Sequence, residues 1–314
     1  MRLTTAVVAR IAAERAGLQR VDLEGGRRAY VLTQLVGPVA AGDRVIVNTT
    51  AVDLGLGSGG WDVVHWNLSR DEWAAPGGGT VMKLRYTSLQ VDTGVAEDAQ
   101  LALPEHLGGK PVVVCDLHSQ LAPVAAGVAS TAPGCRLTYV MTDSAALPLA
   151  LSDLVADLRA AGLLAETISC GQAFGGDVEA VNVPSALLLA AGDVVVVAPG
   201  PGVVGTGTRL GFSGLEMAGV IDAAAVLGGR PVVAVRYSDA DPRDRQHGRS
   251  HHTDTVLALA AHPAAAPVPP GDWPGVEVPV PVTTMGRSPA EDPAFFRYAA
   301  WAGVVAAELL SSEG

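Results

Sequence analysis

Residues 198–214 read APGPGVVGTGTRLGFSG, and residues 231–254 read PVVAVRYSDADPRDRQHGRSHHTD. The first stretch is a Gly-rich loop leaving an apolar run. The second is an apolar run that empties into a loop carrying Arg236, Arg243, Arg245, Arg249, His247, His251 and His252 among several aspartates. An Ala-rich segment of helical character joins them. Apolar runs joined through helices, each ending in a polar or Gly-rich loop, predict a parallel α/β sheet. In such a sheet the loops at the carboxyl ends of the strands build a pocket rather than a core. If these two strands are neighbours, their loops meet.

The same rhythm extends outward in both directions. Apolar runs predict strands at Pro111–Cys115, Arg136–Met141, Glu166–Ser169, Asp193–Ala198 and Pro231–Arg236. Between them, Ala/Leu-rich stretches predict helices near Ser119–Ala129, Leu147–Ala161, Ser185–Ala191, Gly214–Leu227 and Thr253–Ala261. A proline-rich segment, 263–281, reads as a surface wrap, and Pro293–Leu310 as a last helix that docks back. The first 105 residues differ. Short β-like runs at Ala29–Leu35, Arg44–Asn48, Trp61–Leu68 and Thr80–Val91 alternate with Gly-rich turns, which predicts a small barrel or sandwich. The expected organisation is a β-barrel-like domain over 1–105, followed over 106–314 by a doubly wound, Rossmann-like α/β domain.

Composition bounds the function. The chain is 49% apolar and 17% charged, enough to bury a substantial core. Its net charge of -11 argues against nonspecific binding to nucleic acid or an anionic membrane, while leaving room for a local basic pocket. The apolar runs fall short of the ~18 residues a membrane span needs. Arg2, Arg10, Glu14 and Arg15 interrupt the N-terminus too early for a secretory signal. The three cysteines are scattered and form no C-x-x-C pair, which suits reduced thiols in the cytoplasm.

Chemistry-bearing residues follow every predicted strand of the α/β part. After the first come Asp116, His118, Ser119 and Gln120; after the second, Thr142, Asp143 and Ser144; after the third, Cys170, Gly171 and Gln172. The loop after the fourth, with Gly200, Gly202, Gly205, Thr206 and Gly207, offers backbone N–H groups to a phosphate or carboxylate, although it is neither a P-loop nor a clean G-x-G-x-x-G. Arg236 and Arg243 after the fifth are candidate anion partners, with Gln172 and Asp143 as further ligand contacts. Strand alternation would put Asp116 and His118 on one side, and a helix would put His247 and His251 on one face. Asp116, His118, His247 and His251 are thus candidate ligands for zinc, manganese or iron, with His252 and Asp254 nearby. His118, with Asp116, and His252 are the candidate acid–base residues. Gly211-Phe-Ser213-Gly214 does not support a nucleophile elbow, because Leu215 stands where the final glycine belongs. In TVMKLRYTSLQ (80–90), Lys83 and Arg85 share a strand face opposite Met82, Leu84 and Tyr86. That predicts an apolar side toward the barrel core and a cationic pair able to cover the α/β pocket.

The phrases WDVVHWNL, MKLRYTSLQ, CDLHSQ, MTDSAALPLALSD, GQAFGGDVEAVN, GPGVVGTGT and RDRQHGRSHHTDTVLAL together resemble an uncharacterised bacterial family, domain of unknown function 3866. The resemblance spans most of the chain and implies a cytoplasmic bacterial protein; it carries no catalytic assignment. The residues themselves predict an enzyme for a small anionic metabolite, phosphorylated or nucleotide-like, working by hydrolysis or group transfer. A metabolite sensor using the same pocket is the alternative, and a structural homo-oligomer with the histidine loop at its interface is a third.

Overall fold

In the computed structural model, residues 1–57, 59–75, 77–99 and 102–311 are described. The chain divides into two compact units, Met1–Gly94 and Val95–Gly314, where the sequence places its boundary at residues 105 and 106.

The first unit is a closed barrel of β1 (Leu3–Arg15), β2 (Leu18–Leu23), β3 (Arg28–Leu32), β4 (Arg44–Asn48) and β5 (Asp62–Asn67), with two single-turn helices, α1 (Thr33–Val36) and α2 (Thr50–Asp53). Neighbours run β1-β2-β3-β5-β4 and back to β1, with β3 and β5 parallel and the other pairs antiparallel. That is the topology of an OB-type barrel, an architecture that by itself fixes no function. Valines build its interior: Val8, Val21, Val31, Val45, Val47 and Val64 alternate inward, as β-branched side chains on a pleated sheet do. The apolar runs beginning at Ala29, Arg44 and Trp61 all form strands. β1 and β2 are additions, because β1 shifts register between Val8 and Arg10 and again between Ile11 and Ala13, which erases its period-two signal.

The segment 80–91 corrects its sequence expectation. Only a two-stranded ribbon forms, β6 (Met82–Lys83) with β7 (Val91–Asp92), separate from the barrel sheet. Leu84 and Tyr86 adopt φ of 52° and 62°, which breaks strand alternation. The expected faces do not form: Lys83 is fully buried, whereas Met82, Arg85 and Tyr86 are exposed. Arg85 donates to the Met82 carbonyl at 3.2 Å.

The second unit opens with a one-turn helix, α3 (Ala96–Ala99), and contains a parallel sheet of six strands. These are β8 (Pro111–Val114), β9 (Leu137–Thr142), β10 (Glu166–Cys170), β11 (Val178–Ala180), β12 (Val194–Pro199) and β13 (Arg230–Val233), in the order β11-β10-β9-β12-β8-β13. Helices α4 (Leu121–Thr131), α5 (Asp153–Ala160) and α9 (Pro293–Ser311) pack on one face; α6 (Val183–Leu189), α7 (Met217–Val226) and α8 (His251–Leu259) pack on the other. Covering both faces explains why the strands read as unbroken apolar runs. Val112, Val195 and Val197 point to one layer while Val113, Val194 and Val196 point to the other. A small antiparallel ribbon, β14 (Tyr237–Ser238) with β15 (Gly248–Arg249), stands apart. All five strands and six helices predicted for this part are present; β11 is an additional edge strand.

The C-terminal helix docks as the sequence predicts, and it does so backbone to backbone. A Cβ on Gly127 of α4 would lie 2.1 Å from the Ala300 carbonyl oxygen, and one on Gly303 of α9 would lie 2.1 Å from that of Val124. The acidic charge belongs to this unit: residues 95–314 hold eleven Lys/Arg against twenty-three Asp/Glu, and residues 1–94 hold ten against nine. The charge argument against polyanions therefore bears on the α/β unit rather than on the barrel. Among the described residues, no helix is long and apolar enough to cross a membrane.

Candidate functional site

The connections of the sheet place the site. From β8 the chain crosses by α4 on one face to β9; from β12 it crosses by α7 on the opposite face to β13. β8 and β12 are hydrogen-bonded neighbours, so the connections that leave their carboxyl ends turn to opposite faces and open a crevice above them, the position at which open α/β sheets take ligands. β12 and β13 are not adjacent, because β8 lies between them. Their loops nevertheless approach above β8, where a Cβ on Gly205 would lie 3.9 Å from His252 Cε1.

Asp116 and His118 part company. Leu117 is extended and caps a short 3-10 turn over His118–Gln120, closed by the Gln120 side chain accepting from Leu117 N–H at 3.1 Å. A turn rotates successive side chains by about a third of a circle, so the strand alternation that would align the two residues does not apply. This corrects the expectation of an Asp-x-His pair and sets two polar groups side by side.

The first group surrounds His118. Its Nε2 lies 2.7 Å from Ser152 Oγ, and its Nδ1 lies 3.1 Å from the Pro199 carbonyl oxygen and 3.2 Å from the Tyr139 hydroxyl. Tyr139 itself donates toward the Ala198 and Pro199 carbonyls. A carbonyl only accepts, so Nδ1 carries the hydrogen and Nε2 presents its lone pair to Ser152. Burial pushes the imidazole down to about 4, against the opposing hydrogen bond to Pro199, and His118 is neutral at pH 7. Beside it opens a cavity of about 370 Å³, bordered by Ser152, Leu154, Gly202, Val203, Val282 and Met285 among others. Among the described residues, Asp153 is the only charged residue in its lining, and no Lys or Arg borders it.

The second group is closed. Asp116, Arg236 and His252 are 6%, 4% and 6% exposed, which puts all three in the interior. Arg236 Nη1 lies 3.0 Å from His252 Nδ1, and Asp116 Oδ2 lies 3.5 Å from the same nitrogen. Among the described residues, neither Asp116 carboxyl oxygen nor His251 Nε2 has a hydrogen-bond partner. His252 stacks on Phe212 at 3.7 Å between ring centroids and 4° between planes. Its Nε2 is 3.3 Å from the Gln246 amide, which Ser250 fixes in turn. Burial lowers the Arg236 guanidinium while Asp116 supports its charge; burial followed by His252 lowers His251.

The remaining candidates lie elsewhere. His247 is exposed and follows a 3-10 turn in extended backbone, so it shares no helical face with His251, which begins α8. The quartet Asp116, His118, His247 and His251 does not converge: among the described residues, no group of three or more His, Cys, Asp or Glu side chains is arranged to hold a metal ion. Arg243 grips Asp241 at 2.6 and 2.8 Å and holds that carboxyl at about 2. Asp143 accepts from the Gln172 backbone N–H at 2.8 Å and pins the turn after β10. The Gly-rich loop folds on itself, with Thr206 N–H donating to Gly211 at 2.7 Å and Ser213 N–H donating to Val204 at 2.9 Å. Gly200 is packed against Ala146, and Gly207 lies near Arg245. Of the loop's candidate glycines, only Gly202 borders the cavity.

Ser152, Tyr139, Phe212 and Gln246 belong to the two groups and were not singled out from the sequence. Ser152 carried one usable signal: a serine followed by aspartate at a helix start is an N-cap, and its Oγ accepts from Val155 N–H at 3.1 Å. The chain belongs to the DUF3866 family, described as a protein of unknown function, whose model matches residues 28–272. No curated protein matches it.

Proposed function

We propose that the α/β unit is a hydrolase or group transferase for a small molecule held in the crevice between the carboxyl ends of β8 and β12, with His118 as its acid–base residue. One observation carries this reading: a neutral imidazole, fixed in one tautomer by the Pro199 carbonyl, presents its free lone pair to a hydroxyl at 2.7 Å in the wall of a cavity of about 370 Å³. A base ready to accept a proton and a concave, largely apolar volume beside it are the two requirements of such a site. The lining favours a neutral or apolar ligand over the anionic metabolite expected from sequence, since Arg236 faces His252 and Arg243 faces Asp241.

The test is turnover of 4-nitrophenyl acetate, 4-nitrophenyl phosphate and 4-nitroacetanilide by the intact chain and by His118→Ala. At least one should be turned over, with a loss of about 100-fold or more in the variant. Equal turnover by both proteins would remove His118 from the chemistry.

A further inference from the structure

We propose that Ser152 is the nucleophile of this site and that its substrates are esters or thioesters of apolar acyl groups. The proposal rests on the crevice being the reaction site with His118 as base, and it adds the attacking atom and the substrate class.

The hydrogen bonds around Ser152 determine where its proton goes. As N-cap of α5, its Oγ accepts from the Val155 N–H, so its own hydrogen must be given elsewhere. His118 Nε2 at 2.7 Å is the acceptor in reach, and its lone pair is available because Nδ1 carries the hydrogen toward Pro199. The arrangement is hydroxyl to imidazole to fixed acceptor, the chain of contacts that activates a serine, with a backbone carbonyl as the orienting third member. Ser152 is 34 residues from His118 in sequence, so the pairing comes from tertiary structure and not from a local turn.

The surroundings select the substrate. Leu117, Leu151, Leu154, Val203, Val282 and Met285 give the cavity apolar walls, and among the described residues no Lys or Arg lines it to balance the charge of a phosphate. Leu154 also lies in the first turn of α5, where N–H groups have no acceptor within the helix. Such donors stabilise negative charge developing on a carbonyl oxygen beside the nucleophile.

The reaction balances without a co-reactant other than water. Ser152 Oγ bonds to the acyl carbon as its proton passes to His118 Nε2. The bond from acyl carbon to the leaving oxygen or sulfur then breaks, and His118 returns the proton to that leaving group. Water next adds its oxygen to the acyl carbon and gives a proton to His118; the bond from acyl carbon to Ser152 Oγ breaks, His118 returns that proton to Oγ, and the acid departs.

The experiment treats the intact protein with an alkyl fluorophosphonate, maps the adduct by peptide mass spectrometry, and measures hydrolysis of 4-nitrophenyl butanoate. Ser152→Asn keeps a capping acceptor but removes the hydroxyl, so it separates nucleophile from cap. The expected result is one adduct, on Ser152, formed at least about 100-fold more slowly in His118→Ala, with hydrolysis lost in a folded Ser152→Asn. An adduct on another residue, or no adduct on the wild-type chain, overturns the proposal. Hydrolysis that survives Ser152→Asn but not His118→Ala also overturns it, while leaving His118 as base for an attacking water. Hydrolysis indifferent to both variants overturns this assignment and the reading of the crevice together.

Discussion

Two polar groups stand side by side at the end of β8, and they are built on opposite plans. Around His118 both ring nitrogens have partners, the imidazole is held neutral, and a cavity opens alongside. Around Asp116 the groups are packed away from solvent, Arg236 supplies a fixed positive charge, and both Asp116 carboxyl oxygens lack a hydrogen-bond partner among the described residues. The first plan suits a site that must exchange protons with a bound molecule. The second suits a tie between elements: it joins the end of β8 to the segment after β13 and to the start of α8, and the Phe212 stack brings in the loop after β12. Richness in histidine and arginine marks the second group in the sequence, yet the first carries the better geometry for chemistry. Polar composition identifies where a chain departs from core; it does not tell a catalytic group from a buried brace.

The comparison breaks most readily at Arg236. Arg236→Met should leave His252 Nδ1 without its donor and the buried Asp116 carboxyl without the positive charge near it, and cost about 3 kcal/mol or more, the scale for leaving a buried charge uncompensated. Urea denaturation measures this. A loss below about 1 kcal/mol would show that the second group is not a brace.

Next in size is a pH effect centred on His118. Its folded-state value of about 4 lies below the ordinary 6.5, so the unfolded chain takes up the proton first as pH falls. The stability contributed by keeping His118 neutral is complete above pH 6.5, declines between 6.5 and 4, and levels off below 4, a change of about 3 kcal/mol. Denaturation curves at pH 7 and pH 4.5 should diverge in the wild type, and His118→Asn should reduce the difference.

The smallest effect on stability is expected at the other member of the pair. Ser152→Ala removes the N-cap of α5 and should cost about 1 kcal/mol, while Ser152→Asn should cost less. A large loss in both would make Ser152 a structural residue and weaken the contrast between the two groups.

Much of this molecule is legible in its sequence. The valine-rich runs at 111–114 and 194–197 dictate buried parallel strands, because a strand covered on both faces has no polar side to show. The polar residues after those strands place Asp116 and His118 beyond the carboxyl end of a strand. Gly127 and Gly303, unremarkable in sequence, matter only where α4 and α9 cross closely enough to exclude a Cβ. The β1 strand stays hidden because its bulges break the alternation that would announce it.

What the sequence by itself determined is a β-barrel-like unit followed by a parallel α/β sheet, with His118 at a strand end. What only the tertiary structure decided is partnership. The turn begun at Leu117 sends Asp116 toward His252 and His118 toward Ser152, and the order of β12 and β8 brings the Pro199 carbonyl to the imidazole. Those contacts join residues 34 and 81 positions apart, and no local periodicity encodes them, because they exist only once the strands have been sorted in the sheet.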